Sequence, residues 1–455
     1  MNATRDGVSN THNNVCAIAI VGHTNTGKTS FLRSLLRQHQ FGEVENRAGT
    51  TRHVEEVTMR LAGNQRCDFY DTPGMEDAMG VLDELDELLP SLRNDSVQAI
   101  HQFMNDSASY DLFDQEIKVL RQVLQSDVCI YVIDAREAVL GKYRDELQLL
   151  ALCGKPILPL FNFTQQDNNM DEWKAMLSNL NLHVVADFDT VMFNQDHEQK
   201  LLEQLALLVS DKGPVLKTLM TSKAQQWARR MELAREAIAT SLIDLAAWQE
   251  TYVEDHEMSR RIDEFQNIAR QEEQRMVAKL LEIYEFPSDA LAYTELDLEA
   301  AGWTQDLFDA DTWAMYGVDV GSAVARGGAV GFTVDVLSGG LTLGLGTAIG
   351  ASAGLLMRKG REWSDKVKGY KVWRLNANCL RLMTVRQQLL LNTISSRRHA
   401  NVSAELLDDQ VADTVELPKP LKKARFKPYW SRFSQQHKSH SSSRRKAIQT
   451  LSKEL

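Results

Sequence analysis

The stretch "IVGHTNTGKTSF", Ile20 to Phe31, constrains the fold of this chain more than any other. It is entered from the apolar run Cys16–Val21 and leads into "LRSLLRQH", whose apolar residues recur at helical spacing. A short unbroken apolar run reads as a strand buried on both faces of a parallel sheet. Between strand and helix, "GHTNTGKT" satisfies G-x-x-x-x-G-K-[ST] in full, in the context that motif requires. Gly22 and Gly27 permit backbone geometries that turn consecutive N–H groups toward phosphates. The following helix N-terminus adds its partial positive charge. Lys28 is then expected to reach the β/γ-phosphates and Thr29 to give its hydroxyl to Mg2+. His23, Thr24, Asn25, Thr26 and Ser30 complete the expected cradle. The alternative is a structural glycine turn.

Two further motifs follow in order. "CDFY" reads as the next strand and places Asp71 at its end, within "DTPG". A carboxylate there can hold Mg2+ through water, and the Gly74 N–H can sense a γ-phosphate; Thr72 and Pro73 belong to the same loop. Between the motifs lies "RAGTTRHVEEV", whose Thr50 or Thr51 is placed to close over the metal, so Thr29, Thr51 and Asp71 form the expected Mg2+ set.

With these three motifs in this order, the chain resembles the TrmE–Era class of translation-factor-related GTPases over roughly residues 15–210. "GHTNTGKT", "AGTTRH" and "DTPG" correspond to that class's G1, G2 and G3 motifs. Over its full length it is similar to a bacterial family that joins an Era-like G domain to a C-terminal domain of unknown function (number 3482). The resemblance implies an α/β P-loop NTPase G domain with a mostly parallel, doubly wound sheet, and GTP and GDP as ligands. It also implies that Asn25, which matches the asparagine of the TrmE–Era loop, helps bind a potassium ion that stands in for an arginine finger. A loop-stabilising hydrogen bond is the other reading of Asn25.

The base-specificity motif departs from that class. Where N-K-x-D is expected, the chain reads Asn162, Phe163, Thr164, Gln165. The carboxylate that would accept from guanine is missing at its usual place, and Asp167 substitutes only if the loop is longer. Phe163, Gln165 and Asp167 are therefore weak base-binding candidates beside Asn162, and discrimination of GTP from ATP is expected to be reduced. Met75 stands where Ras-like enzymes place a water-orienting glutamine. Hydrolysis is expected to be slow unless another group, a cation or a partner helps.

Asp71 and Asn162 are 91 residues apart, more than a minimal domain of this class needs. The surplus is acidic and helical in period, an insert at about 76–125 that is either a partner-binding or dimerising switch extension, giving a homodimer through the G domain, or a passive addition. Leu216–Phe286 reads as two or more long amphipathic helices and Asp365–Ser396 as another. Between them, Val336–Met357 runs 22 residues without a charge, long enough to span a bilayer. Gly346, Gly350 and Gly354 give it one small face. With the glycine-rich arm before it, this reads as a hairpin over 317–357 turning at Asp335. It either packs within a helical bundle or docks on membrane; Asp319, Arg326 and Asp335 count against lipid.

Charge is unevenly spread. From Leu417 onward there are eleven Lys/Arg and one Glu, a local net of +10 in a chain of net −11. Interleaved with Phe426, Tyr429, Trp430 and Phe433, the basic tail suits RNA, ribosome or an anionic membrane surface. Five cysteines without metal-type spacing indicate reduced thiols in a cytosolic protein. The polar N-terminus shows no secretory leader.

These features together divide the chain into a disordered segment 1–14, a G domain 15–212, an all-α domain 213–412 with the Gly-rich hydrophobic hairpin, and a disordered basic tail 413–455. The function expected is a slow GTPase switch, GTP to GDP and phosphate, controlling a helical domain associated with the cytoplasmic face of the inner membrane. The alternatives are a ribosome- or RNA-associated assembly GTPase and a nucleotide-binding scaffold with little turnover.

Overall fold

The computed structural model describes residues 14–36, 53–164, 169–188, 195–253, 258–284, 306–309, 312, 332–336, 370–396, 416–435, 437–438 and 441–455. The chain divides into two compact units, 1–227 and 228–455. The division falls inside the helix Gly213–Ala247 rather than ahead of it.

The first unit is built on a six-stranded sheet. Its strands are β1 (Val15–Val21), β2 (Glu55–Arg60), β3 (Arg66–Asp71), β4 (Val128–Asp134), β5 (Ile157–Asn162) and β6 (Ala186–Asp187). The order is β2-β3-β1-β4-β5-β6, and only β2 is antiparallel to its neighbour. Every residue of β4 and β5 is buried, as expected of parallel strands covered on both faces. The chain leaves β1 for β3 on one side and β4 on the other, so β1 is the switch point, and the crevice beyond its carboxyl end is where such sheets bind ligands. Register aligns the strand ends there: Ile20 pairs with Asp71, and Asp134 with Asn162.

Helices flank the sheet. The helix α1 (Lys28–Leu36) buries Phe31, Leu32 and Leu35. The acidic segment after Asp71 forms α2 (Ala78–Leu88), α3 (Ser96–Asn105), α4 (Ser107–Leu112) and α5 (Asp114–Gln125). An aspartate starts each of the first three, because its carboxylate takes an otherwise orphaned helix N–H. Asp77 accepts from Gly80 N, Asp95 from Gln98 N and Asp106 from Ser109 N. Val81, Leu85, Ile100, Phe103, Ile117 and Leu120 are buried in one core with Tyr131 and Ile133 of β4. The insert is therefore part of the G-domain core. The remaining elements of this unit are α6 (Gly141–Leu152), α7 (Met170–Asn179), α8 (Gln195–Leu208) and the start of α9 (Gly213–Ala247).

The second unit is helical, with the rest of α9, α10 (Met258–Ile283) and α11 (Ala377–Ser396). It also holds three antiparallel strands, β7 (Glu250–Val253), β8 (Phe332–Val336) and β9 (Tyr370–Leu375), in the order β7-β9-β8. This corrects two expectations. Asp335 is not a hairpin turn but a strand residue paired with Val372. Asp365–Ser396 is not one helix: "YKVWRL" is a strand, and the helix begins after Asn376, whose side chain accepts from Cys379 N at 2.7 Å. Short apolar runs rich in β-branched and aromatic residues are ambiguous in period, and here pairing between strands settles them. Residues 317–331 and 337–357 of the glycine-rich stretch lie outside the described residues. Among the described residues no helix is long and apolar enough to cross a membrane.

The described part of the basic tail is also ordered, contrary to expectation. It forms α12 (Lys419–Ala424) and α13 (Ser442–Glu454) and buries Leu421, Trp430 and Leu451 completely. Arg444 Nη2 donates to Asp244 Oδ1 at 2.7 Å, and Arg432 pairs with Glu272. Part of the tail's charge thus meets the acidic body of its own unit.

Candidate functional site

Lys28 opens α1 directly beyond β1, so the fold places its ammonium inside the glycine loop. Its Nζ donates to Gly22 O at 3.0 Å and His23 O at 2.8 Å and is buried. Burial lowers its pKa from 10.5 to about 8, against the pull of the Asp71 and Glu146 carboxylates. A buried cation hydrogen-bonded to carbonyl oxygens is poised for a stronger anion. Gly27 has φ +88°, and a Cβ there would stand 2.5 Å from Asn162 Nδ2, so a side chain is excluded on both counts. Asn25 has φ 68° and is exposed at the tip of the loop. Thr26 Oγ1 closes the loop onto His23 O at 3.0 Å, and Ser30 lies exposed on α1.

The structure brings Thr29 and Asp71 together. Thr29 Oγ1 donates to Asp71 Oδ2 at 2.5 Å. Burial raises the Asp71 pKa, while the Thr29 hydroxyl and the Lys28 charge oppose the rise. Asp71 Oδ1 is buried with no hydrogen-bond partner among the described residues, and an unpaired buried carboxylate oxygen is costly. A hydroxyl and a carboxylate with a spare oxygen are oxygen ligands that fit a hard divalent cation, while the neighbouring lysine suits an anion. Thr72 Oγ1 ties this loop back to Ile20 O at 2.8 Å, and Pro73 is buried after it. Gly74 packs so closely on Thr24 that a Cβ would overlap that side chain. Met75 forms an isolated bridge to His23 and its side chain is buried in the core. Thr50, Thr51, Gln165 and Asp167 lie outside the described residues.

At the base end, Asn162 Nδ2 donates to Thr26 O at 3.1 Å, and its Oδ1 accepts from Phe163 N at 3.0 Å. Asn162 therefore joins the end of β5 to the phosphate loop. Phe163 has φ 58° and carries Arg136 over its ring.

Several contributors were not foreseen. Glu146, fully buried on α6, accepts from Tyr131 OH at 2.7 Å and holds His23 Nδ1 at 2.7 Å. Lys142 Nζ lies 2.8 Å from His23 Nε2. A lysine ammonium can only donate, so this nitrogen accepts and Nδ1 carries the proton given to Glu146. Glu116 on α5 accepts from Glu76 N at 2.7 Å and Asp77 N at 2.9 Å. The only signal in the sequence was an acidic residue at a position that helical spacing assigns to the buried face.

Residues 17–163 match the family model described as "50S ribosome-binding GTPase". Residues 174–453 match the one described as "Domain of unknown function (DUF3482)". No curated protein matches the chain significantly. Among solved structures, the chain is similar to Aquifex aeolicus Era bound to GDP.AlF4-, with 15% identity and a TM-score of 0.30 over 53% of this chain and 73% of that one. It is similar to Era in complex with MgGDPNP and nucleotides 1506–1542 of 16S ribosomal RNA, with 16% identity and a TM-score of 0.30 over 53% and 72%. It is also similar to the bacterial selenocysteine-specific elongation factor EF-Sec, with 14% identity and a TM-score of 0.28 over 43% of this chain and 28% of that one. Because the second family model spans more than half of the 455 residues, the chain belongs to the DUF3482 family, joined here to an N-terminal P-loop GTPase domain.

Proposed function

We propose that the protein binds GTP with Mg2+ at the Gly22–Thr29 loop and hydrolyses it slowly to GDP and phosphate, as a switch acting on its helical C-terminal unit. The observation that carries this reading is the orphaned Asp71 Oδ1 beside the Thr29 hydroxyl, next to a buried Lys28. Thr29 and Asp71 would hold the magnesium, with Thr50 or Thr51 as a further candidate. Bound there, the ion would neutralise charge developing on the phosphate oxygens. Lys28 supplies a fixed positive charge to the same oxygens, and the backbone N–H groups of the loop and of Gly74 orient the phosphates.

Slow turnover follows from Met75. Its side chain is buried in the core, and an apolar group cannot orient the attacking water. Asn25, exposed at the loop tip, is the residue through which potassium would assist.

The test is turnover of GTP by the purified protein in magnesium, with either sodium or potassium. Slow hydrolysis in sodium and faster hydrolysis in potassium, with the difference lost in Asn25→Ala, is expected. Absence of GTP binding would sink the reading. Equal rates in the two salts would remove potassium alone.

A ribosome-associated role is the second reading, favoured by the description of the family model over residues 17–163. Membrane association and a G-domain homodimer are the remaining elements of the first. Arg432 and Arg444 are already engaged within their own unit, which leaves less tail charge for lipid or RNA. Fractionation of cell extracts into membrane and ribosomal particles separates these partners.

A further inference from the structure

The helix α1 carries the phosphate-binding candidates Lys28 and Thr29 at its start. Its other end carries carbonyls that no N–H of the same helix reaches. One of them, Leu35 O, accepts from the ammonium of Lys223 on α9. A cation there also complements the negative end of the helix dipole. Leu35 lies about 10 Å along the axis from Lys28, so this contact holds the far end of a rod whose near end is the phosphate loop.

Lys223 is no surface lysine. It is 4% exposed, and its Nζ pairs at 3.0 Å with Glu198 Oε1 of α8, which is 1% exposed. Trp227 Nε1, one turn further along α9, donates to Glu198 Oε2 at 3.1 Å. A buried ion pair is costly to assemble, and apolar side chains of similar volume would serve stability as well. The clamp joins α1, α8 and α9 within the first unit.

The helix α9 then leaves that unit. It runs unbroken from Gly213 to Ala247. From Val215 to Ala247 it has no glycine or proline, the residues at which helices most often bend sharply. Past residue 227 it is bonded into the second unit. Ser241 Oγ donates to Glu272 Oε1 of α10 at 2.8 Å, and Asp244 Oδ1 accepts from Arg444 Nη2 at 2.7 Å.

We propose that Lys223 is the coupling point of the switch, carrying the state of the phosphate loop from the C-terminal end of α1 into α9 and so into the second unit. This rests on the nucleotide-switch reading above and names its route. A shift of α1 on phosphate binding reaches Leu35 O, because a nine-residue helix moves as a body. Leu35, Lys223 and Glu198 are all buried. Water therefore does not replace a bond that stretches, and the strain falls on α9.

The experiment measures hydrogen exchange over residues 228–247 in the full-length protein, bound to GDP or to a non-hydrolysable GTP analogue. It compares wild type, Lys223→Met and the double variant Lys223→Met/Glu198→Gln. The single variant strands the Glu198 carboxylate and should melt lower; the double removes both charges and should melt near wild type. Wild-type exchange over 228–247 should differ about fivefold or more between the two nucleotides, the lower end of ordinary coupling between sites. Both variants should still bind both nucleotides and lose that difference. A clamp that only stabilises would change exchange equally in the two states, so a difference kept in the double variant overturns the proposal. So does a double variant that no longer binds nucleotide, since Lys223 would then serve the site itself. No difference in wild type that binds both nucleotides overturns the coupling while the nucleotide site stands. Wild type that binds neither overturns the switch reading and the coupling together.

Discussion

Glu116 accepts the backbone N–H of Asp77 at 2.9 Å, across 39 residues of chain. The same oxygen takes the N–H of Glu76 at 2.7 Å. These amides begin the helix that follows the "DTPG" loop, so a carboxylate buried on α5 fixes where that loop ends. The insert is thereby tied to the segment expected to respond to the γ-phosphate.

Glu116→Ala should free both amides and destabilise the first unit by about 1–3 kcal/mol, the cost of leaving buried polar groups unpaired. Glu116→Gln keeps an acceptor oxygen and should cost less. Denaturant unfolding gives the magnitude, and hydrogen exchange at Glu76 and Asp77 gives the location. Unchanged exchange in the alanine variant would show that the anchor is dispensable.

Lys28→Ala should abolish tight nucleotide binding without lowering the melting temperature of the free protein, because the lysine it removes is a buried cation with lowered pKa. The pH dependence has a definite sign. Between pH 8 and 10.5 the unfolded chain holds the Lys28 proton and the folded, empty site releases it. The stability of the free protein contributed by this group therefore rises with pH across that window. A bound polyphosphate restores the charge, so binding takes up a proton and affinity falls as pH rises through the same window. Titrations of a fluorescent GTP analogue at several pH values check this. Affinity that rises across the window would contradict it.

Met75→Gln should not create a faster enzyme. Met75 is buried among apolar side chains, so a glutamine amide there would be held in the core away from the phosphates. The expected result is a loss of about 1–3 kcal/mol with turnover unchanged or lower. Single-turnover hydrolysis and thermal unfolding are the measurements. Accelerated hydrolysis would mean that the segment rearranges when nucleotide binds.

Trp430→Ala should destabilise the second unit by about 3–5 kcal/mol, the range for removing a large buried aromatic, since its side chain is fully buried. Arg444→Ala should also destabilise it, because it leaves Asp244 buried without its guanidinium. Burial raises the Asp244 pKa and Arg444 opposes the rise. The loss should therefore shrink at low pH, where a protonated Asp244 no longer needs a cation. Unfolding curves at neutral and acid pH measure both. Wild-type stability in either variant would restore the tail to a free segment.

The phosphate loop was legible in the sequence because its chemistry is local. Residues 22–29 bring glycines, lysine and hydroxyl within one turn of chain between a strand and a helix, and the spacing of Asp71 does the rest through one strand pairing. The helical character of the insert was legible for the same reason, since an apolar period acts over a few residues, whereas its aspartate caps emerged only in the structure. Only the tertiary structure decided the partners of those residues. Glu146 meets His23 across 123 positions, Arg136 meets Phe163, and Arg444 meets Asp244 across 200. No periodicity encodes such pairs. The basic tail looked like a solvated segment because its composition is polar. It is ordered because Trp430, Leu421 and Leu451 find buried places and its arginines find buried carboxylates. Likewise "YKVWRL" fits helix or strand by its pattern, and only hydrogen bonding to β7 and β8 made it a strand. Local chemistry is written in neighbouring residues, whereas burial and pairing depend on which distant surfaces the fold brings together.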